Sequence, residues 1–267
     1  MATDIVPALL ADIRARFQKD LTGNPWLMEI TYRIRDGTAT PREMIDYAEL
    51  LGESLSDALQ AVLTPDALPD GKMYYNIANR TVKPLLRENY NNVNQIAAAV
   101  QAIMDEADGI GLKAVTADFP EERVNGLIDM LTDSDTFTKW LGEPIVNTTM
   151  SFADDFVKAN AEFRYKSGMD VRIVRETEAE QTKRRKNKSK YVIPCKWCAR
   201  LAGTYPYEDA RHREELFQRH ESCRCRVTYI NGKEFQNVWS KEIWNADADT
   251  LNRRASTGTQ LQFGERG

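Results

Sequence analysis

The stretch IVNTTMSFADDFVKANAEF, residues 145–163, carries the clearest periodic signal in the chain. Its apolar and small residues recur in alternating steps of four and three, which is the period of one face of an α-helix. This stripe is typical of a helix packed on other helices rather than of a ligand-binding face. It predicts a helical domain that ends near Gly168. The stripe consists of Ile145, Thr149, Phe152, Phe156, Ala159 and Phe163.

Four more helices are predicted before this stretch. Thr40 followed by Pro41 is typical of a helix start, since threonine caps the first turn and proline suits its first position. Apolar residues then recur at helical spacing until Pro65 ends the pattern. Pro84 is expected to kink or split the longest helix, because proline lacks the N–H that a helix interior needs. The predicted helices cover residues 6–20, 41–64, 72–107 and 120–132.

The pattern changes after Gly168. Val171 and Ile173 alternate with basic residues and predict a short strand, and Val227–Ile230 predicts another. The fold class is therefore mainly α, with a small mixed region at the C-terminal end. The predicted organisation is a helical domain over 1–168, a metal-stabilised α+β domain over 169–245 with a basic loop at 181–190, and a flexible tail over 246–267.

The composition favours a globular protein with unevenly distributed charge. Hydrophobic residues make up 42% of the 267-residue chain, which is enough for a buried core without covalent staples. Residues 183–230 hold 13 Lys and Arg against five Asp and Glu, whereas the whole chain holds 36 against 40. The chain is therefore predicted to be an acidic body with a basic patch near its C-terminal end.

Sequence signals for export or membrane insertion are not found. Residues 1–18, MATDIVPALLADIRARFQ, have no basic start followed by an apolar run, so a signal peptide is not expected. No apolar stretch approaches the length of a membrane span, so no membrane anchor is expected. Clustered cysteines in such a chain suit a metal in a reducing, cytoplasm-like compartment better than a disulfide framework.

All four cysteines and both histidines lie in one segment, PCKWCARLAGTYPYEDARHREELFQRHESCRC, residues 194–225. Cys195-x-x-Cys198 has the spacing of a metal-binding knuckle, because a tight turn lets both thiolates face one cation. Sulfur and imidazole ligands select zinc in a reducing compartment, although an iron–sulfur cluster is an alternative. These two cysteines are the strongest ligand candidates.

The second half of the candidate site is His220-x-x-Cys223-x-Cys225. If residues 223–230 form a strand, the two cysteines project to the same face. His220 precedes this strand and can reach the same point from a turn. The segment thus offers five candidate ligands for four tetrahedral places, while His212 stands outside the spacing and is interpreted as an exposed residue. One of the five is then expected to support the site from outside the metal's ligand set.

Three enzyme classes were weighed against a closed structural site. Zinc deaminases need a His-x-Glu before the Cys-x-x-Cys, and no histidine precedes Cys195, so this class is excluded. A metal-dependent nuclease would need His212 and Asp209 as catalytic groups, without supporting spacing. Glu176-x-Glu178 is similar to the paired glutamates of ADP-ribosyltransferases, but such a pair in a charged run is common. A closed structural zinc site, with one ion per chain, is the better interpretation.

A run of basic residues before the cysteine segment could meet phosphates, or could be a solvated loop. Trp197 and Tyr205 nearby could stack on bases, or could form the small core of a knuckle domain. Such a run carries no sequence readout, so any DNA binding is expected to be non-specific. The candidate DNA-binding residues are Lys183, Arg184, Arg185, Lys186, Lys188 and Lys190.

The order of these motifs resembles the C-terminal part of the tailed-phage minor head, or head-morphogenesis, proteins. The shared pattern is Cys-x-x-Cys-x-x-Leu-Ala-Gly-Thr-Tyr over 195–205, then Phe-x-x-His-x-x-Cys-x-Cys-x-Val over 217–227. The helix-then-strand lead-in at 150–178 and the stretch NVWSKEIW at 237–244 also fit. The resemblance covers roughly the last 120 residues, and the helical first half matches only in general character.

The resemblance implies a structural protein of the phage head. In that family the cysteine and histidine positions are taken to be a structural metal site, and the place of work is the head interior near the portal. The implied partners are the portal or major capsid protein, and DNA where it is bound at all. The expected location is the virion, after assembly in the host cytoplasm. The alternative function is that of a phage-encoded enzyme, either a metal-dependent nuclease or an ADP-ribosyltransferase.

Overall fold

A computed structural model describes residues 4–133, 135–177, 196–220 and 222–231 of the chain. Within these residues the protein forms two compact units. The first unit contains residues 4–156 and the short segment 219–224, and the second contains residues 157–218 and 225–231 where they are described. None of the helices in these ranges is both long enough and apolar enough to cross a membrane. The predicted domain bounds stay a prediction.

The first unit is built from helices, as the sequence predicts. The start predicted at Pro41 is confirmed, and Thr40 and Glu43 close it with reciprocal side-chain and backbone hydrogen bonds of the capping-box type. The apolar faces of neighbouring helices form one core, with side chains such as Leu51 and Leu85 fully buried. The helices are α1 (Val6–Gly23), α2 (Pro25–Arg35), α3 (Pro41–Val62), α4 (Tyr75–Asp108), α5 (Glu121–Asp133) and α6 (Glu143–Lys166).

The helix α2 was not predicted from the sequence. Its signal lies in Asn24-Pro25, where the Asn24 side chain accepts hydrogen bonds from the backbone N–H groups of Trp26 and Leu27. Asparagine is among the best N-cap residues, and proline suits the first helical position. The apolar pattern was weak because α2 buries few side chains, chiefly Leu27 and Ile30.

Pro84 does not split the long helix α4, which is unbroken from Tyr75 to Asp108. The lost backbone hydrogen bond is tolerated because buried residues on both sides of the proline, Val82 and Leu85 among them, hold the two parts in the same core. The helix ends at Asp108, one residue beyond the predicted range of 72–107, and Gly109 follows it with a φ of 69° in the left-handed region that favours glycine.

The N-terminal half of α6 packs tightly on α3 and α4. Backbone approaches backbone at Gly52, where an added Cβ would lie 2.9 Å from the Cα of Val146. The buried Asn89 side chain donates a hydrogen bond of 3.1 Å to the Thr149 hydroxyl. The first four residues of the predicted stripe, from Ile145 to Phe156, are therefore buried in the core, whereas Ala159 and Phe163 are half-buried.

We expect Gly52→Ala to destabilise the protein although alanine is the better helix former. Overpacking of this kind lowers the free energy of unfolding by about 1–3 kcal/mol, whereas the higher helix propensity of alanine raises it by about 1 kcal/mol. Gly126→Ala in α5 is the matched control, because its Cβ would meet nothing within 4 Å. Chemical denaturation should show a lower free energy of unfolding for Gly52→Ala and a higher one for Gly126→Ala. A higher free energy of unfolding for both variants would contradict the close packing of α3 on α6.

The second unit contains a three-stranded antiparallel sheet in the order β2-β1-β3. Its central strand β1 (Val171–Glu176) pairs with β2 (Gly203–Pro206) and with β3 (Arg226–Asn231). Ile173 lies opposite both Tyr205 and Tyr229. Two short helices, α7 (Lys196–Leu201) and α8 (Tyr207–Ala210), flank β2 along the chain. The strand that the sequence suggested over 223–230 begins only at Arg226.

The fold class is mainly α, as predicted. Helices make up most of the described residues, and the sheet is small and antiparallel. The basic loop at 181–190 and the tail over 246–267 lie outside the described residues.

Candidate metal centre

Three of the five predicted ligands lie together in the structure. One donor atom each from Cys198, His220 and Cys223 lies within 4.8 Å of the other two. Around a tetrahedral zinc ion, donors at bond lengths of about 2.0–2.3 Å stand roughly 3.5–3.8 Å apart. This group could hold a metal ion, and its two sulfur atoms and one imidazole are donors that suit zinc.

The helix α7 presents Cys198. Its side chain is 3% exposed, and its carbonyl accepts a hydrogen bond of 3.0 Å from the N–H of Ala202. The Tyr205 hydroxyl donates to the carbonyl of Leu201 at 3.3 Å, which satisfies a second carbonyl at the end of this helix. Main-chain and side-chain bonds thus fix the helix that carries the thiol.

His220 and Cys223 are placed by a tight turn and not by a strand. The N–H of Cys223 donates to the carbonyl of His220 at 3.1 Å. Ser222 has a φ of 57°, in the left-handed region that lets the chain reverse here. We refer to the described residues 219, 220 and 222–224 as the ligand turn. It brings side chains three residues apart to one point. His220 was expected to reach the site from a turn, whereas Cys223 was expected on a strand, which begins only at Arg226.

The other candidate residues have different positions. Cys225 is buried, with 2% exposure, but is not in the group of three that the described residues form. Cys195 lies outside the described residues, so its role as a ligand stays a prediction. His212 is exposed, as expected, and accepts a hydrogen bond of 3.0 Å from the Arg211 side chain.

Arg219 joins the ligand turn to α6. Its guanidinium donates two hydrogen bonds to the carboxylate of Asp154, at 2.5 Å from Nε to Oδ2 and 2.8 Å from Nη2 to Oδ1. Both side chains are buried, at 5% and 2% exposure. The third nitrogen, Nη1, donates to the carbonyl of Cys223 at 3.5 Å. One side chain therefore holds the start of the ligand turn to α6 and also contacts the main chain of the second ligand.

Two further contacts hold the same turn. The Asn147 amide donates to the carbonyl of His220 at 3.0 Å. Arg224 lies between two carboxylates, 3.2 Å from Glu49 and 2.7 Å from Glu143. Glu49 is 2% exposed in this pair. The ligand turn is thus held at Arg219, at His220 and at Arg224.

Arg175 organises the second unit from the centre of its sheet. It lies on the buried face of β1, where its guanidinium donates to the carbonyls of Leu216 and Gln218. The same group lies over the ring of Trp197, 5.2 Å from the centroid. Trp197 precedes Cys198 directly, so this arginine supports the helix that carries the thiol. Trp197 is half-buried, and this contact favours the small-core interpretation of its side chain.

Other polar groups of the second unit are also engaged. The Arg213 guanidinium lies 4.8 Å from the ring centroid of Tyr205. Burial raises the pKa of Tyr207 to about 12, and the carboxylate of Glu162 adds to this shift. The Tyr207 hydroxyl therefore stays protonated at neutral pH and cannot act as a base there. Glu176 ends β1, while Glu178 and the six candidate DNA-binding residues lie outside the described ranges.

The side chains that fix the ligand turn were not predicted from the sequence. Asp154 sits in a helix with an apolar stripe and could have been exposed, as its neighbour Asp155 is in part. The sequence RHESCRC, residues 219–225, does place an arginine beside each candidate ligand, which is a signal that arginines support the site. The partners of these arginines are 65 or more residues away along the chain, so only the fold identifies them.

Comparison with known proteins adds no relative to this picture. No family model, no curated protein and no solved structure matches the chain. Function is therefore inferred from the motif order and from the geometry of the candidate metal centre.

Proposed function

We propose that this chain is a minor head protein of a tailed phage, in which one zinc ion stabilises the C-terminal part. Its work is to bind portal or capsid subunits inside the head. The observation that carries the proposal is the coincidence of motif and geometry. The order Cys-x-x-Cys, then His-x-x-Cys-x-Cys, resembles that family, and Cys198, His220 and Cys223 from this pattern lie within reach of one ion.

Burial of the thiols supports a structural role for the ion. Cys198 and Cys223 are 3% and 1% exposed. Structural zinc sites are closed by four protein ligands, whereas catalytic sites keep a place open for water. Cys195 and Cys225 are the candidates for the fourth ligand. Bound zinc would link segments that are distant in sequence and would contribute directly to folding.

The proposed function is tested by the location of the protein during infection. Heads purified from cells infected with the phage that encodes the chain should contain it inside the shell, in fewer copies than the major capsid protein. Quantitative mass spectrometry of particles before and after protease treatment measures both properties. Finding the protein free in the infected cell and absent from particles would contradict the proposal.

The enzymatic alternative is tested on the isolated protein. Hydrolysis of DNA, or transfer of ADP-ribose from a nicotinamide cofactor, would replace the structural proposal if His212→Ala or Glu178→Gln abolished it. The structural proposal expects no turnover in either assay and no difference between these variants and the wild type.

DNA binding, where it occurs, is expected to be non-specific and sensitive to salt. The six basic residues of 183–190 would release counterions from the phosphates, giving a log–log salt slope of at most about −5. Fluorescence anisotropy with two unrelated duplexes over a salt series measures this slope. Sequence preference that survives high salt would contradict the expectation, as would no binding at low salt.

A further inference from the structure

We propose that Arg219 and Asp154 are positioning residues for the metal ligands His220 and Cys223. Their buried ion pair fixes the ligand turn to α6 before the metal arrives, and so sets the metal affinity. The inference depends on the metal-binding part of the proposed function. It does not depend on the proposed place in a phage head.

The ion pair restrains the main chain of the ligand turn beside both ligands. Arg219 is the residue directly before His220, so fixing its side chain limits the movement of that imidazole. Its Nη1 also contacts the carbonyl of Cys223, three residues after His220. The fork of the guanidinium can reach both the Asp154 carboxylate and this carbonyl, which a lysine ammonium could not do. One side chain therefore restrains the main chain at both ligands.

The Arg219–Asp154 ion pair carries no net charge beside the candidate metal centre. A buried guanidinium alone would disfavour the approach of a divalent cation, whereas the Asp154 carboxylate at 2.5 Å offsets its charge. Groups that orient metal ligands from outside the ligand set typically change metal affinity by about 10–100-fold when they are replaced. We assign such an effect to this pair.

The test uses the full chain and a double variant, Asp154→Leu with Arg219→Met. Removing both charges together avoids leaving one of them buried without its partner, and apolar replacements of similar size are commonly tolerated in folding. Zinc affinity is measured by competition with a chromophoric chelator. The ligand field is read from the visible spectrum of the cobalt(II)-loaded protein. We expect zinc binding about 10–100-fold weaker and an altered cobalt spectrum.

The matched control removes a neighbouring ion pair, in which Asp155 lies on α6 and Arg123 lies on α5. Arg123 and Asp155 pair at 2.7 Å on the surface, with exposures of 44% and 25%. The double variant Asp155→Leu with Arg123→Met should bind zinc with wild-type affinity and give the wild-type cobalt spectrum. An equal loss of affinity in the control would overturn the inference, because the effect would then belong to any change in α6.

A conservative variant covers the case in which the apolar double variant does not fold. Arg219→Lys keeps the positive charge beside Asp154 and loses the fork, so zinc affinity should fall while circular dichroism still shows the native helices. Wild-type affinity in a folded Arg219→Lys protein, or in the folded double variant, would overturn the inference. Absence of the protein from phage heads would refute the proposed function and leave these affinities unchanged.

Discussion

Replacement of Cys198 by serine is expected to abolish tight metal binding and to unfold the segment 196–231, while the helices of the first unit persist. The expected loss is large because the ligands of a structural zinc site together contribute about 10 kcal/mol or more to folding. The sheet of the second unit is small, with strands of six, four and six residues, and its core offers little to replace that contribution.

Limited proteolysis and hydrogen exchange measure this expectation. The variant should be cut or exchange rapidly within 196–231 and remain protected over α3 and α4. Chelator treatment of the wild type is the control, since it should reproduce the pattern and be reversed by added zinc, whereas the variant should not recover. Identical cleavage of variant and wild type would contradict the stabilising role of the metal.

Replacement of Asp154 alone by leucine is expected to destabilise the protein by about 3–5 kcal/mol, even without metal. The substitution removes the carboxylate from a guanidinium that is 5% exposed, and breaking a buried pair costs far more than the pair contributes. Adding Arg219→Met should recover most of that loss, because the second change removes the buried charge itself.

Denaturant unfolding of the four proteins in this double-mutant cycle gives the coupling free energy. Asp155→Leu is the matched control and should cost about 0–1 kcal/mol, because its pair with Arg123 is exposed. A cost for Asp154→Leu no larger than that of Asp155→Leu would show that the buried pair does not hold the ligand turn.

Local sequence signals were enough to predict most of the helical unit. Apolar periodicity predicted α6, and the Thr40-Pro41 start and the end of α4 near residue 107 were also correct, because caps and core faces are encoded by nearby residues. The prediction failed for α2, whose apolar face is short, although Asn24-Pro25 marked its start. Pro84 does not split α4, because burial on both sides of it outweighs one lost hydrogen bond.

The candidate metal centre was predicted in its residue types but not in its local geometry. Spacing alone put Cys198, His220 and Cys223 among the ligands. It could not show that Cys223 lies in the same turn as His220, with Ser222 at positive φ, rather than on a strand. Nor could it identify Asp154 as the partner of Arg219, because that contact spans 65 positions of the chain.

The metal content of the gently purified protein tests the central claim most directly. Native mass spectrometry together with elemental analysis measures the ion and its stoichiometry in one preparation. We expect one zinc per chain, lost when Cys198 and Cys223 are both replaced by serine. Protein that holds no transition metal, or that holds it equally well after both replacements, would contradict the account.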